Sequence, residues 1–217
     1  MAVINYVEWL PCAGKSLLIK ALEKNKCEVV HELWRVLDKK DFPWNWKSLK
    51  EIKNIDNWFI DKEWNRYIWL PSSSKNVYFD RSFLTHLTYA YAYSRFMNIP
   101  SFKDTVLKYK QAIDDGYLLS PDVIINIKVP SDISIQRQNG KIAQDPNKAL
   151  PYFWRNKQFL NDLLYAYSKL YESYIWNFIE LDGKLTTEEK LAQVLNAPVI
   201  NPWKSKIDLD YYLTKML

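Results

Sequence analysis

The sequence predicts a three-layer α/β fold: a five-stranded parallel sheet with helices on both faces. Three observations predict it. Five short apolar runs occur along the chain, and a longer stretch with helical spacing separates each from the next. Strands that alternate with helices pair in parallel through right-handed crossovers, and the helices then cover both faces. The length, 217 residues, suits one α/β domain with a good core and is short for two.

The predicted strands are residues 3–7, 28–31, 76–79, 123–129 and 178–181. The first runs into Glu8-Trp9-Leu10-Pro11-Cys12-Ala13-Gly14-Lys15-Ser16, and a helix opens at Gly14 and continues through Leu22. Residues 89–93 alternate Tyr and Ala, yet no turn signals bound them, so they belong to a helix over about 83–97. A second long helix is predicted over 153–176. Between the second and third strands lies an aromatic-rich insert, about 42–74, with Trp44, Trp46, Trp58, Phe59, Trp64, Tyr67 and Trp69, closed by Pro71-Ser72-Ser73-Ser74. A tail over about 196–217 holds Pro198, Pro202 and Trp203. It is expected as a strap on the outside of a single domain spanning 1–217, and as a candidate homodimer contact.

Composition narrows the function classes. The net charge is +5, which favours anionic partners such as nucleotides, but no block of Lys and Arg forms a basic tail. The N-terminus lacks the sections of a signal peptide, and no apolar run reaches the ~20 residues that span a bilayer. Two cysteines suggest no disulfide framework. A soluble protein of the cytoplasm, without a membrane partner, is the expectation. With ten Trp, fifteen Tyr and nine Phe, aromatic side chains either fill the core generously or line a pocket for a flat ligand. No His/Cys cluster has zinc-ligand spacing.

Gly14-Lys15-Ser16 follows the first strand and opens a helix, which is the context a phosphate-binding loop demands. Backbone N–H groups from Cys12, Ala13, Gly14, Lys15, Ser16 and Leu17, together with the helix N-terminus, would cradle phosphate oxygens. The Lys15 ammonium would meet the β- and γ-phosphates, and the Ser16 hydroxyl would ligate Mg²⁺. Two positions depart from a glycine-rich loop. Trp9 stands at the first place of the pattern and Cys12 later in it, where glycine would permit positive φ. Pro11 removes one N–H donor. A phosphate geometry different from the usual one is expected.

With the later motifs counted, the chain resembles the thymidylate kinase and deoxynucleoside kinase group of P-loop kinases, with a degenerate phosphate loop. The resemblance covers about residues 3–195 in motif order. It rests on Val7 to Ser16, on Tyr78-Phe79-Asp80-Arg81-Ser82, on Ser120-Pro121-Asp122 before the fourth strand, on Ile135-Gln136-Arg137, and on Ile179-Glu180-Leu181-Asp182-Gly183. It implies the P-loop NTPase fold and a phosphotransferase that uses ATP and Mg²⁺. Asp80 would hold Mg²⁺ with Ser16, and Arg81 would bind the acceptor with its planar fork. Arg137 and Lys141 would sit on a lid, about 137–150, that closes over the γ-phosphate and excludes water. Asp182 would border the adenine. Glu32, after the second strand, would be the base toward an acceptor hydroxyl.

The resemblance supports "kinase" better than "thymidylate". Residues 88–90 read Thr-Tyr-Ala where thymidylate kinases carry Ala-Tyr-Gln, so the pyrimidine-pairing amide is absent. The Trp-rich insert suits stacking on a flat ring. The acceptor is a nucleoside, a nucleoside monophosphate or a related hydroxylated small molecule. A non-catalytic nucleotide-binding module is the alternative, motivated by Trp9 and Cys12. Stable nucleic-acid binding is not expected. Trp44-Asn45-Trp46-Lys47 and Trp64-Asn65-Arg66-Tyr67 have the look of a base-stacking surface, but the first reads as a loop cluster and the second as a helix with one buried face.

Overall fold

The computed structural model of the protein describes residues 3–36, 40, 42–43, 47–68, 70, 76–145, 152–173, 177–198 and 207–217. Five strands form one sheet: β1 (Val3–Glu8), β2 (Glu28–Val30), β3 (Asn76–Asp80), β4 (Val123–Lys128) and β5 (Phe178–Asp182). Their spatial order is β2-β3-β1-β4-β5, and every neighbouring pair is parallel. Helices on both faces complete the predicted three layers. They are α1 (Lys15–Lys24), α2 (Leu33–Val36), α3 (Leu49–Ile68), α4 (Phe83–Met97), α5 (Phe102–Asp114), α6 (Ser131–Gln144), α7 (Lys157–Glu172), α8 (Thr187–Asn196) and α9 (Leu209–Met216), with a 3₁₀ turn at Tyr152–Arg155.

The three central strands β1, β3 and β4 are buried on both sides, and this explains their continuous apolar character, whereas the edge strands β2 and β5 are partly exposed. Tyr6 and Phe79 pack into one core cluster with Phe83, Tyr109 and Tyr212, whereas Val7 and Ile125 pack into another with Leu18, Leu22 and Phe159. Many of the described aromatic side chains are therefore core. Tyr6 keeps its hydroxyl satisfied inside the protein: it lies 2.8 Å from the Tyr67 hydroxyl and donates to the Leu119 carbonyl.

Local signals set the helix boundaries. Ser82 caps α4, its Oγ accepting from the Leu84 N–H at 3.1 Å. Asn156 caps α7 through the Phe159 N–H at 3.0 Å. Because of that cap, the helix predicted over 153–176 is split: a 3₁₀ turn comes first and α7 starts only at Lys157. Thr186 and Glu189 form a reciprocal capping box at α8. The Tyr-Ala alternation at 89–93 lies inside α4, as its missing turn signals implied.

The tail lies partly outside the described residues, at 199–206. Its described part ends in the helix α9, capped by Asp208, and Tyr212 and Leu209 are buried in the core. The insert is organised by the 20-residue helix α3. Phe42 meets Trp58 and Phe59 edge-on, with centroids 5.0 and 5.7 Å apart. Trp44, Trp46, Trp69 and the Pro71–Ser74 stretch lie outside the described residues, as do Trp176, Pro202, Trp203 and the last part of the predicted lid. Arg66 and Tyr67 of the second candidate base-stacking cluster are turned inward and buried. Among the described residues no helix is long and apolar enough to cross a membrane.

One buried charge lies away from the sheet. Asp56 on α3 is buried and accepts a hydrogen bond from Thr105 Oγ1 of α5 at 2.8 Å. Burial pushes its carboxyl up to about 6. A raised folded-state value favours the protonated form. The stability it contributes is present below the unfolded value near 4 and is lost as the pH rises through about 6. Asp56→Asn, neutral at every pH, is therefore expected to raise the thermal midpoint at pH 7.5 by the equivalent of about 1–3 kcal/mol. The difference from wild type should close below pH 4. Parallel melting curves from pH 3.5 to 8 check this, and equal midpoints at pH 7.5 would contradict it.

Candidate active site

The sheet order decides which loops meet. β1 lies between β3 and β4, and chain direction makes all the strand C-termini open on one edge. Register sharpens this: Val7 of β1 is level with Asp80 of β3, and Glu8 is level with Asn126 of β4. Beyond Asp80, the Arg81 N–H donates to the Val7 carbonyl at 3.1 Å. The segment after β1 and the Asp80-Arg81 pair are thus held side by side at the crevice where strand order reverses.

The loop from Trp9 to Gly14 takes glycine-like conformations at three places. φ is +129° at Trp9, +58° at Cys12 and +109° at Gly14. Only the last residue is free of a Cβ penalty. A non-glycine residue held there costs of order 1–3 kcal/mol. Trp9 has compensation: its ring stacks on Tyr171 (6.1 Å, 12°) and lies 5.4 Å from Tyr167, and its Nε1 donates to the Val129 carbonyl at 3.1 Å. Burying an aromatic side chain of this size contributes a comparable few kcal/mol. Trp9 therefore anchors the start of the loop to the core instead of distorting it. Ser134 of α6 ties the middle down, donating to the Pro11 carbonyl at 2.7 Å.

Lys15, the first residue of α1, folds back over this loop. Its Nζ donates to the Trp9 and Leu10 carbonyls at 2.8 and 2.7 Å. Burial pushes the ammonium down to about 7, and the positive charge of Arg81 adds to the effect. Glu8, just before the loop, is buried and accepts hydrogen bonds from Ser82 (2.6 Å), Thr85 and Tyr167. Burial raises its carboxyl, and the Ser82 and Thr85 hydroxyls pull it back down. Ser82 thus serves at once as α4 cap and as partner of this carboxylate.

Facing the loop is a cluster of two acids and two guanidinium groups. Arg81 has φ +64°, and its Nε lies 2.8 Å from Glu32 Oε1. Arg35 of α2 reaches three groups: the Ser16 hydroxyl, Asp80 Oδ2 at 3.4 Å and Glu32 Oε2 at 3.9 Å. Tyr89 of α4 is buried beside Arg81, and its hydroxyl is pushed up to about 12, chiefly by burial. On the other side of the loop, Arg137 of α6 donates through Nη1 to the Cys12 and Ala13 carbonyls, each at 3.3 Å, and through Nη2 to the Gly183 carbonyl at 3.0 Å.

Most of the residues singled out from sequence therefore converge. Lys15, Ser16, Glu32, Asp80 and Arg81 form one cluster with the loop, and Arg137 bridges the loop to the segment after β5. Two stand apart. Lys141 is exposed near the end of α6. Asp182 is exposed and turns its Oδ1 to the Lys184 N–H at 2.8 Å. Sequence reading missed Arg35, although it stands three residues after Glu32, which immediately precedes α2. It also missed Ser82 and Thr85 as partners of Glu8, for which no local signal exists.

Three solved structures of deoxyadenosine kinase from M. mycoides share this fold. The form with products dCMP and a flexible dCDP bound is 16% identical, covers 88% of this chain and 96% of that chain, and has a TM-score of 0.63. The form with bound dATP is 16% identical over 88% and 97%, with a TM-score of 0.65. The form with bound dCTP is 14% identical over 90% and 97%, with a TM-score of 0.63. No protein-family model matches the sequence, and no curated protein does. At this identity the likeness is one of fold: the five-stranded parallel sheet with helices on both faces.

Gly183 makes a test of the site's frame. A Cβ there would sit 2.1 Å from Val129 Cγ1 and 2.6 Å from the Lys128 carbonyl oxygen, so the backbone has no room to spare. Gly183→Ala is expected to destabilise the protein by about 1–3 kcal/mol through overpacking, measurable by urea denaturation. An unchanged midpoint would mean that the contact after β5 yields freely.

Proposed function

We propose that the protein is an ATP- and Mg²⁺-dependent phosphotransferase acting on a nucleoside, a nucleoside monophosphate or a related hydroxylated small molecule. One observation carries the reading: Lys15 and Ser16, Glu32, and the Asp80-Arg81 pair come together at the C-terminal ends of three neighbouring strands, with Arg137 across the loop. Phosphoryl transfer needs positioning and charge cancellation more than covalent chemistry from the protein, and this set supplies both. The deoxyadenosine kinases that share the fold bind deoxynucleotides, which supports a nucleotide at this edge.

The residues fit Mg²⁺. Asp80 Oδ2 is buried and accepts no hydrogen bond, and a guanidinium lies between it and the Ser16 hydroxyl. A cation already bridges the two oxygens that the metal would use. When bound, Mg²⁺ would cancel charge on the phosphate oxygens. The roles of the chain's own groups follow. Lys15 would turn the two donors it spends on the Trp9 and Leu10 carbonyls toward phosphate oxygens. Arg81 orients the acceptor. Glu32 accepts the proton of the acceptor hydroxyl once its contact with Arg81 loosens. Arg137 is the lid group with a route to the γ-phosphate, and Lys141 would need the lid to close to join it. The aromatic wall of Phe42, Trp58 and Phe59 stands next to α4, where Phe59 stacks on His86 with centroids 3.6 Å apart, and it offers a flat acceptor an apolar face.

A turnover assay with ATP, Mg²⁺ and a panel of nucleosides, nucleoside monophosphates and sugars tests the reading. Lys15→Ala is expected to lower phosphoryl transfer by about 100-fold or more. Transfer at near wild-type rate in Lys15→Ala removes Lys15 from the assignment. No transfer by the wild type to any acceptor, with ATP bound, leaves a non-catalytic nucleotide-binding module. Asp80→Asn is expected to raise the Mg²⁺ concentration needed for half-maximal rate by about tenfold, because a neutral amide is a poorer ligand for a hard cation. An unchanged Mg²⁺ dependence would exclude Asp80 as a ligand.

A further inference from the structure

Arg66 lies outside the residue set assigned above. It is on α3, is buried, and has partners on two sides. Its Nη1 donates to both carboxylate oxygens of Glu63, at 2.8 and 2.9 Å. Its Nη2 faces three backbone carbonyls: Val30 at 3.4 Å, Asp80 at 3.3 Å and Arg81 at 3.1 Å. Val30 and Asp80 end β2 and β3, and Arg81 follows β3 directly. The ladder between the two strands stops at the pair Val30 and Phe79, so beyond it no strand hydrogen bond holds them together. The candidate residues sit just past this point: Glu32 two residues after Val30, and Asp80 and Arg81 themselves.

We infer that Arg66 is a positioning residue, a buried clamp that fixes the end of β2 to the end of β3 and so sets Glu32 against the Asp80-Arg81 pair. The inference rests, for its effect on catalysis, on the phosphotransferase reading. The chemistry requires arginine. A planar fork can hold a carboxylate with one nitrogen and carbonyls with the other, whereas a lysine presents a single point. The backbone at Arg81 is also held in the left-handed region, φ +64°. Such a conformation persists only where surroundings over-determine it. Arg66 on the Arg81 carbonyl, Val7 on its N–H and Glu32 on its side chain supply that. The clamp is braced from behind: Glu63 is buried, His86 Nε2 lies 3.6 Å from it, and Phe59 stacks on His86.

The test compares wild type, Arg66→Lys and the double variant Glu63→Leu/Arg66→Met. Removing both charges together avoids leaving one buried and unpaired, and replacement by apolar residues of similar volume is commonly tolerated. Amide hydrogen exchange is read for the segments 28–33 and 78–82, with α1 and β4 as internal references, and kcat and the KM for ATP are measured on the same samples. In the double variant exchange is expected to quicken about tenfold or more in those two segments alone. kcat should fall roughly 100-fold with the KM for ATP within about threefold of wild type. Arg66→Lys should recover part of the rate. It carries the same exchange and kcat tests if the double variant does not fold.

Exchange at the wild-type rate in a folded variant overturns the clamp. Faster exchange with unchanged kcat overturns its positioning role. Absence of turnover in the wild type defeats the phosphotransferase reading instead, and the exchange comparison alone then decides the clamp.

Discussion

The parallel pairing of β1 with β3 is the constraint on which the rest of the site depends. Sheet hydrogen bonds put Val7 level with Asp80, and the Arg81 N–H extends the contact by one more bond to the Val7 carbonyl. A slip of one residue would reverse every side chain of one strand. Tyr6 and Val7 belong to different core clusters, so a slip would also exchange them and unpack both. Apolar burial therefore enforces the register that brings the charged residues together. Lys15, Ser16, Asp80 and Arg81 meet because the core permits only one alignment.

On this frame a loop is stretched that uses a tryptophan where a smaller residue is expected. The conformational penalty at Trp9 and the gain from burying its ring are of the same order, a few kcal/mol each. Neither dominates, so the loop holds its shape only while Tyr167, Tyr171 and the Val129 carbonyl hold the indole. Tyr167 also donates to Glu8. The same side chain thus steadies both the carboxylate before the loop and the first residue of the loop. Cys12 has no comparable support from its side chain among the contacts described. Arg137 and Ser134 brace the loop there through backbone carbonyls instead.

Charge in the site is arranged in facing pairs. Glu32 is met by Arg81 and Arg35, Asp80 by Arg35, and Glu63 by Arg66. Acids and guanidinium groups so close together in a partly buried place compensate one another's desolvation. Arg66 spends its remaining donors on the carbonyls of Val30, Asp80 and Arg81. Lys15 is the extreme case: its ammonium, weakened by burial, rests on two loop carbonyls.

How much of this could be read from sequence varies with the range of the interaction. The five strands and the helix over 83–97 were legible, because apolar runs and turn signals are local. So was Gly14-Lys15-Ser16, whose glycine and helix start lie within three residues. The break before α7 was not foreseen, although Asn156 signals it, because the apolar pattern runs across the cap. Nothing local says that Tyr212 of the tail is fully buried against α5 and α7. The sequence by itself determined the layered architecture, the place of the Gly14-Lys15-Ser16 loop between β1 and α1, and the list of charged candidates, all consequences of short-range periodicity and residue chemistry. Only the tertiary structure decided which candidates meet. Arg35 on Ser16, Arg66 on Asp80 and Ser82 on Glu8 span 19, 14 and 74 positions. Such contacts are created by sheet order and register, for which no local pattern exists.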